Sequence, residues 1–312
     1  MHTYPWGHAR RFNDFSTHFK NKMGGRVQKI SVDAGFSCPN RDGLIARGGC
    51  SYCNNDTFNP DYCSPHLTIT EQLENGQRFF SVKYPGMKYL AYFQAFSNTY
   101  APISVLKVRY EEALAVPGVV GLVIGTRPDC VTEEILDYLA FLSKKVYVMV
   151  EYGAESHLNK TLQRINRGHT FEQTVAALDA TASREIHSCV HTILGLPGEM
   201  HADFVDQARV ISQLPVENLK LHQLQIHRNT RLASEYEANP TSFQLHTAIE
   251  YAELIIEYLE LLNPRIIVER FIGQSPPDLL IAPKWGMKNF EFVSKIDRLL
   301  QEKDTWQGRK FQ

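Results

Sequence analysis

Four of the six cysteines in this 312-residue sequence fall between positions 38 and 63. Cys50 and Cys53 have the C-x-x-C spacing that lets one tight loop present two thiolates to the same metal centre. Cys38 precedes them in a segment rich in proline and glycine, which can fold back and bring in a third sulfur. Three thiolates suit a four-iron cluster with one iron open to an exchangeable ligand, because ordinary clusters are fully ligated by four cysteines. This spacing makes Cys38, Cys50 and Cys53 candidate ligands of a [4Fe–4S] cluster.

Zinc is the alternative for the same stretch. Cys50-x2-Cys53 is followed by Cys63-x2-His66, which offers four ligands at the spacing of a zinc finger or knuckle. The stretch alone does not decide between the two metals. A zinc clip would leave Cys38 and its glycine-rich surroundings without a role, and that favours the cluster. Cys63 is predicted to have no special role, while Cys130 and Cys189 flank apolar strands and are predicted core residues.

Short apolar runs alternate with helical patterns along most of the chain. Such alternation predicts an α/β fold with parallel strands, either a closed or partly closed barrel or an open doubly wound sheet. Thr132–Ser143 and Thr170–Ser183 are two of the predicted helices, each opened by a capping threonine and nearby acids. The six predicted strands are Val27–Val32, Tyr89–Phe93, Val119–Ile124, Val146–Val150, His187–Leu194 and Leu219–Leu224.

Polar or glycine-rich residues follow every one of these strands. Both candidate architectures place their chemistry at the carboxyl ends of the strands. The sequence therefore predicts that the carboxyl ends of the strands form the opening of an active site. This prediction does not depend on the cysteines. The segments that follow the strands include Cys38, Gln94–Asn98, Thr126–Asp129, Glu151–Ser156, Gly195–Glu199 and Gln225–Thr230.

Three segments are predicted: an extension over 1–26, a core over 27–230, and a helical extension over 231–312 that packs on the core. Apolar spacing predicts one amphipathic helix over Tyr236–Leu262, stopped by Pro264, with another strand at Ile266–Val268.

Composition predicts a folded cytoplasmic protein with no membrane segment. Hydrophobic residues make up 43% and charged residues 21% of the sequence, and the formal net charge is −1. Any nucleic-acid surface must then be a local patch. The basic residues available for one lie near the two ends: Arg10, Arg11, Lys20, Lys22 and Arg26, and then Lys284, Lys288, Lys295, Arg298, Lys303, Arg309 and Lys310.

Six motifs in order resemble the radical S-adenosylmethionine (SAM) superfamily. The likeness is stronger to its YhcC/YtqA-type bacterial branch, which is similar to the radical SAM domain of the Elongator catalytic subunit. The motifs cover nearly the whole chain and read CPNRDG…GGCSYC, YFQAFSNTYAP, IGTRPDC, EYGAES…TLQRINRGHT, HTILGLPGE and APKWG…DTWQG.

The resemblance implies a partial (β/α)6 TIM-like barrel with N- and C-terminal extensions and with the cluster near its mouth. Cys38, Cys50 and Cys53 would ligate three irons, and SAM would chelate the fourth. An electron from a partner such as flavodoxin or ferredoxin would cleave SAM to methionine and a 5′-deoxyadenosyl radical that abstracts hydrogen from the substrate. The cofactor supplies the difficult chemistry and the protein positions it.

The same resemblance implies SAM contacts one position at a time. Tyr52 and the backbone of Leu194 and Gly195 would approach the adenine. Gln94 or Asn98 would hold the SAM amino group, since this chain lacks the usual Gly-Gly-Glu motif there. Glu151 and Glu155 would reach the ribose or the methionine end, and His191 the ribose. Arg167, with Arg164 as a competitor, would pair with the SAM carboxylate.

The resemblance to the Elongator subunit makes wobble uridine in transfer RNA the best expectation for the substrate, although the chain is too short to contain the acetyltransferase domain as well. A small metabolite or a protein side chain is the second expectation. A non-catalytic, zinc-containing nucleic-acid-binding protein is the third.

Overall fold

The computed structural model describes residues 3–57, 59–82, 84 and 86–312. Strands and helices alternate through most of this length. The strands are β1 Val27–Val32, β2 Lys88–Phe93, β3 Val119–Thr126, β4 Tyr147–Glu155, β5 His187–Leu194, β6 Asn218–Gln223, β7 Ile226–His227, β8 Ile267–Arg270 and β9 Leu280–Ala282. The helices are α1 Phe15–Met23, α2 Pro39–Asp42, α3 Ile69–Ser81, α4 Ile103–Ala115, α5 Glu133–Ser143, α6 Asn159–Arg164, α7 Phe171–Ala182, α8 His201–Ser212, α9 Arg231–Ala238, α10 Ala248–Leu261 and α11 Asn289–Glu302.

Seven of these strands form one parallel sheet in the order β1-β2-β3-β4-β5-β6-β8. The predicted α/β fold, a partial TIM-like barrel, is confirmed, and all six predicted strands are present. The seventh strand, β8, coincides with the strand predicted near Ile266–Val268. β7 and β9 form a separate antiparallel pair.

The predicted helix over Tyr236–Leu262 is wrong in its first half. α9 ends at Ala238, and Asn239 and Pro240 begin a short 3₁₀ turn. Proline interrupts helical hydrogen bonding, so the apolar spacing across this point does not describe one helix. α10 starts afresh with a capping box between Thr247 and Glu250.

The two sides of each central strand have different surroundings. Along β4, Val148, Val150 and Tyr152 face outward into the core formed with the surrounding helices. Met149 and Glu151 lie between them in sequence and face the barrel lumen, because successive strand residues point to opposite sides. The lumen therefore has its own lining, apolar at one level and charged at the next.

α1 closes the amino-terminal end of the barrel. It begins at Asp14, whose side chain accepts the Thr17 N–H, and it ends at Gly24 in the left-handed conformation. Phe19 from this helix packs against lumen residues that include Met149 and Cys189. The plug leaves the carboxyl ends of the strands as the accessible end of the lumen.

Predicted helix starts at Thr132 and Thr170 are confirmed, since each hydroxyl caps the helix that follows. The C-terminal helices α10 and α11 pack on each other and on the barrel through buried residues such as Tyr251 and Phe292. No helix in the described ranges is long and apolar enough to cross a membrane.

Candidate active site at the carboxyl ends of the strands

A cavity of about 140 Å³ lies at the carboxyl ends of β2 to β5. Cys38, Cys50 and Cys53 all line it. Six of the SAM contacts that the resemblance implied line it as well: Tyr52, Gln94, Glu151, Glu155, Arg167 and His191. Other polar side chains of the lining include Arg41, Asn55 and Arg127. The structure thus brings most of the predicted site residues to one place.

The loop from 38 to 53 is fixed by its own hydrogen bonds. Cys38 immediately precedes α2, and the Arg41 and Asp42 N–H groups donate to its carbonyl. Gly49 N–H donates to Asn40 O at 2.8 Å, which folds the glycine-rich segment back, and Gly49 has a φ of +80° that suits glycine. Cys53 N–H donates to Cys50 O at 3.0 Å, so the C-x-x-C segment forms a tight turn.

The spacing of the three sulfurs suits a cluster better than a single ion. Four sulfurs around one zinc ion at 2.3 Å lie about 3.8 Å apart. Among the described residues, only Glu151, Cys189 and His191 bring three donor atoms within 4.8 Å of one another. The three cysteine sulfurs therefore share a cavity while standing farther apart than one tetrahedral ion requires.

The alternative zinc set is not assembled by the same measure, since Cys63 and His66 join no such group within the described part of the chain. Cys63 lies away from the cavity, buried, with its Sγ 3.2 Å from Gln72 Oε1. Burial also raises the pKa of its thiol to about 12, so it stays protonated. Cys63 therefore belongs to the packing of α3 against β1.

The Glu151, Cys189 and His191 group is also unsuited to a metal. Both carboxylate oxygens of Glu151 accept hydrogen bonds from Lys220, at 2.8 and 2.7 Å. A metal cation would have to compete with this ammonium and with Lys29, 2.8 Å from the same carboxylate. Burial raises the pKa of the Cys189 thiol well above its ordinary range.

N–H donors surround the cysteine sulfurs. Arg167 Nη1 lies 3.5 Å from Cys50 Sγ, Asn40 Nδ2 lies 3.4 Å from the same atom, and Asn55 Nδ2 lies 3.8 Å from Cys53 Sγ. Burial and the neighbouring Cys50 raise the pKa of the Cys53 thiol to about 11 in the metal-free protein. Metal binding must therefore displace a proton, and donors aimed at sulfur stabilise the resulting thiolates. This environment fits an iron–sulfur cluster.

Arg167 lies where a carboxylate could reach it. Its Nη2 donates to Gly153 O at 2.7 Å and lies 3.6 Å from Glu155 Oε1, while its buried Nε has no partner among the described residues. A buried N–H without a partner is costly, so it marks a point where a ligand atom would be stabilised. The competitor Arg164 pairs with Glu235 at the surface and does not line the cavity.

The end of β4 is distorted around this arginine. Glu155 has a φ of +65°, and the pairing of β4 with β5 shifts register between Gly153 and Glu155. A Cβ on Gly153 would approach Arg167 Nη2 to 2.6 Å, so only glycine leaves room for the guanidinium there. Backbone strain of this kind concentrates at functional sites, where it turns a side chain toward the ligand.

The buried Lys220 and the partly buried Lys29 hold Glu151. Lys29 Nζ lies 2.8 Å from Glu151 Oε1, His191 Nε2 lies 2.9 Å from Oε2, and Glu269 completes the group by accepting from Lys29 at 2.6 Å. Burial would raise the pKa of Glu151, but Lys220 and Lys29 outweigh it and hold that pKa well below its usual range. Both oxygens of Glu151 are therefore already engaged by side chains of the lumen, and its contact with SAM stays a prediction.

Three other predicted contacts lie outside the cavity. Asn98 is fully buried beneath it, where Nδ2 donates to Gly125 O at 2.8 Å and fixes the end of β3. The Leu194 side chain faces the outer core, and a Cβ on Gly195 would meet Leu224 and His246. None of the three lines the cavity, so Gln94 is the better candidate for the SAM amino group.

Arg127 was not predicted as a site residue. It is 2% exposed, pairs with Asp129 at 2.7 Å and donates to Arg167 O at 2.7 Å, so it anchors the backbone that carries Arg167. The sequence held a signal, since Thr126–Asp129 follows a predicted strand. Lys29, Lys220 and Glu269 were also missed, although charged residues within apolar strands point to a polar lumen.

Comparisons with known proteins identify the family. The family described as "Radical SAM superfamily" matches residues 43–211, and "Radical_SAM C-terminal domain" matches residues 216–302. YtqA of Bacillus subtilis is 34% identical over 99% of this chain and 96% of its own length. YhcC of Escherichia coli K12 is 34% identical over 93% of this chain and 92% of its own length. Archaeal Elp3 of Methanocaldococcus infernus with residues 1–46 deleted has a similar fold, with a TM-score of 0.69, 16% identity, and coverage of 90% of this chain and 64% of that one.

The chain belongs to the radical SAM superfamily and is an enzyme of that class. Its cofactors are those of the superfamily, a [4Fe–4S] cluster and SAM.

Proposed function

We propose that Cys38, Cys50 and Cys53 hold the [4Fe–4S] cluster and that SAM binds beside it in the same cavity. When bound, these two groups supply reductive cleavage of the sulfonium bond, which yields methionine and a 5′-deoxyadenosyl radical. The observation that carries the proposal is the meeting of three cysteine sulfurs with Arg167 around one cavity.

The chain's own residues would bind and orient SAM. Arg167 would pair its free Nε–H with the SAM carboxylate, while Arg127 holds the backbone of Arg167 in place. Gln94 would accept from the amino group, and Tyr52 would pack against the adenine. The reducing equivalent would come from an external one-electron donor such as flavodoxin or ferredoxin.

For the substrate, we propose a uridine of transfer RNA. This rests on the resemblance of the motifs to the Elongator catalytic subunit. The proposal is tested by comparing modified nucleosides of transfer RNA from cells with and without the protein. A uridine modification that disappears in cells lacking the protein would support RNA, and identical nucleoside profiles would exclude it.

One observation favours the second candidate, a small metabolite or a protein side chain. Many of the basic residues predicted to grip RNA are paired within the chain, for example Arg10 with Asp297 and Lys303 with Glu253. Lys22 lies beside His187 at the amino-terminal end of the barrel, away from the cavity. These charges hold the terminal segments together, so they add less to phosphate binding than the sequence suggested.

The cluster assignment is tested by anaerobic reconstitution of wild type, Cys50→Ala and Cys63→Ala. Wild type should bind about four irons per chain and release 5′-deoxyadenosine when reduced with SAM. Cys50→Ala should lose both iron and product because two thiolates cannot hold the cluster. Cys63→Ala is the matched control, a buried cysteine outside the cavity, and should keep both. Retention of 5′-deoxyadenosine formation by Cys50→Ala would refute the ligand assignment.

A further inference from the structure

A second, larger cavity of about 560 Å³ adjoins the first. Six residues line both: Tyr52, Cys53, Tyr92, Gln94, Glu155 and His191. The far wall of the second cavity is formed by the carboxyl ends of β6 and β8 and by the segment 273–276. A molecule held there would border the site proposed for SAM, which makes the second cavity the natural place for a substrate.

One cation of this cavity lacks a carboxylate partner. Lys29 and Lys220 face Glu151 and Glu269, so these four groups sum to zero. Glu155 also lines the cavity, and its carboxylate lies 3.6 Å from Arg167. Arg270 lines the cavity as well, and no carboxylate of the described residues lies within 4.0 Å of its guanidinium.

The neighbouring imidazoles cannot supply a negative charge. Burial, together with the charges of His191 and Arg270, holds the pKa of His222 well below its ordinary value, so this ring is neutral. Its Nε2 is buried and has no partner within the described part of the chain. The charge of Arg270 therefore has no counter-charge from this ring.

A free hydrogen-bond donor faces the same cavity. Gln225 accepts from Ser275 Oγ through Oε1 at 2.9 Å. Its amide nitrogen has no partner among the described residues, so its N–H groups can donate to a molecule held in the cavity. Uncompensated positive charge with free donors is the arrangement that binds anions.

We propose that the second cavity binds the substrate through an anionic group, a carboxylate or a phosphate, held by Arg270 with help from the Gln225 amide. The guanidinium fork matches the paired oxygens of either group. This inference rests on the proposed function for the idea that the bound molecule meets the radical, but the binding itself needs no turnover.

Calorimetric titration of the reconstituted full-length protein in low-chloride buffer tests the proposal. The probes are acetate, inorganic phosphate and uridine 5′-monophosphate, and the variants are Arg270→Gln, Arg270→Lys and Arg265→Gln. Arg265 is the matched control because it is exposed and lies before the opposite end of β8. At least one probe should bind wild type and Arg265→Gln alike, about tenfold weaker to Arg270→Gln, with partial recovery in Arg270→Lys.

The outcomes separate the sources of the anion. Binding of acetate alone assigns a carboxylate substrate, and binding of the phosphates alone assigns a phosphate substrate. No binding of any probe up to about 10 mM, or equal binding by wild type and Arg270→Gln, overturns the proposal. If the protein fails to assemble the cluster yet shows Arg270-dependent binding, the proposed function fails while this inference stands.

Discussion

Two neighbouring levels of the barrel lumen are built in opposite ways. Toward the amino-terminal end, Leu90, Val123 and Met149 pack against Phe19 from α1 and form a dry apolar plug. One step along the same strands, Glu151 and Lys220 form a buried ionic layer with Lys29 and Glu269. The cavity for the cluster opens directly above the second level.

The difference shows that the apolar level of the lumen serves mainly the stability of the fold, whereas the ionic level serves mainly the geometry of the site. An apolar layer tolerates exchanges between side chains of similar volume, because its side chains make many small, non-directional contacts. An ionic layer holds its members in fixed positions but depends on every partner, since an unpaired buried charge is costly. Glu151 fixes His191 at the boundary of the two cavities, so the ionic layer shapes the floor of the site.

Lys220→Met should break the ionic level with the largest loss of stability. Methionine keeps a similar volume but leaves Glu151 and Glu269 with Lys29 as their one lysine partner, at a cost of about 3–5 kcal/mol. Met149→Leu, a shape change at the apolar level, should cost less than about 1.5 kcal/mol. Urea unfolding of the two variants measures both values. Equal losses would show that the levels do not differ in the way described.

Two carboxyl groups at the carboxyl ends of neighbouring strands sharpen the comparison. Glu151 is held ionised by two lysines, whereas Glu199 is buried without a cation and accepts from Ser156. Burial raises the pKa of Glu199 to about 7 from its ordinary value near 4.5. A raised pKa in the folded state adds stability that is complete below the unfolded pKa and is lost as the pH rises through the folded value.

The stability of wild type relative to Glu199→Gln should therefore fall by roughly 2 kcal/mol between about pH 5.5 and about pH 8. Glutamine keeps the shape and cannot ionise, so it removes this pH dependence. Urea unfolding at both pH values provides the measurement. A difference between the two proteins that stays constant with pH would mean that Glu199 is ionised throughout the range.

Much of this architecture could be predicted from the sequence because the signals are local. Apolar runs and capping threonines located the strands and two of the helices, and the C-x-x-C spacing located the metal loop. The break at Asn239 and Pro240 was missed because the apolar spacing continues across it.

The ionic layer could not be predicted as a unit. Lys29, Glu151, Lys220 and Glu269 come from four strands, and only the register of the sheet brings them together. The resemblance implied SAM contacts at Asn98, Leu194 and Gly195, none of which lines the cavity. Residues at a strand's carboxyl end can face the core, the loop below or the cavity, and the sequence does not distinguish these directions.

Electron paramagnetic resonance of the reduced, reconstituted protein with and without SAM tests the central claim most directly. If Cys38, Cys50 and Cys53 leave one iron open beside Arg167, adding SAM should change the spectrum of the reduced cluster, and Arg167→Ala should require more SAM for the same change. A spectrum that SAM leaves unaltered would contradict the shared cavity at the centre of this account.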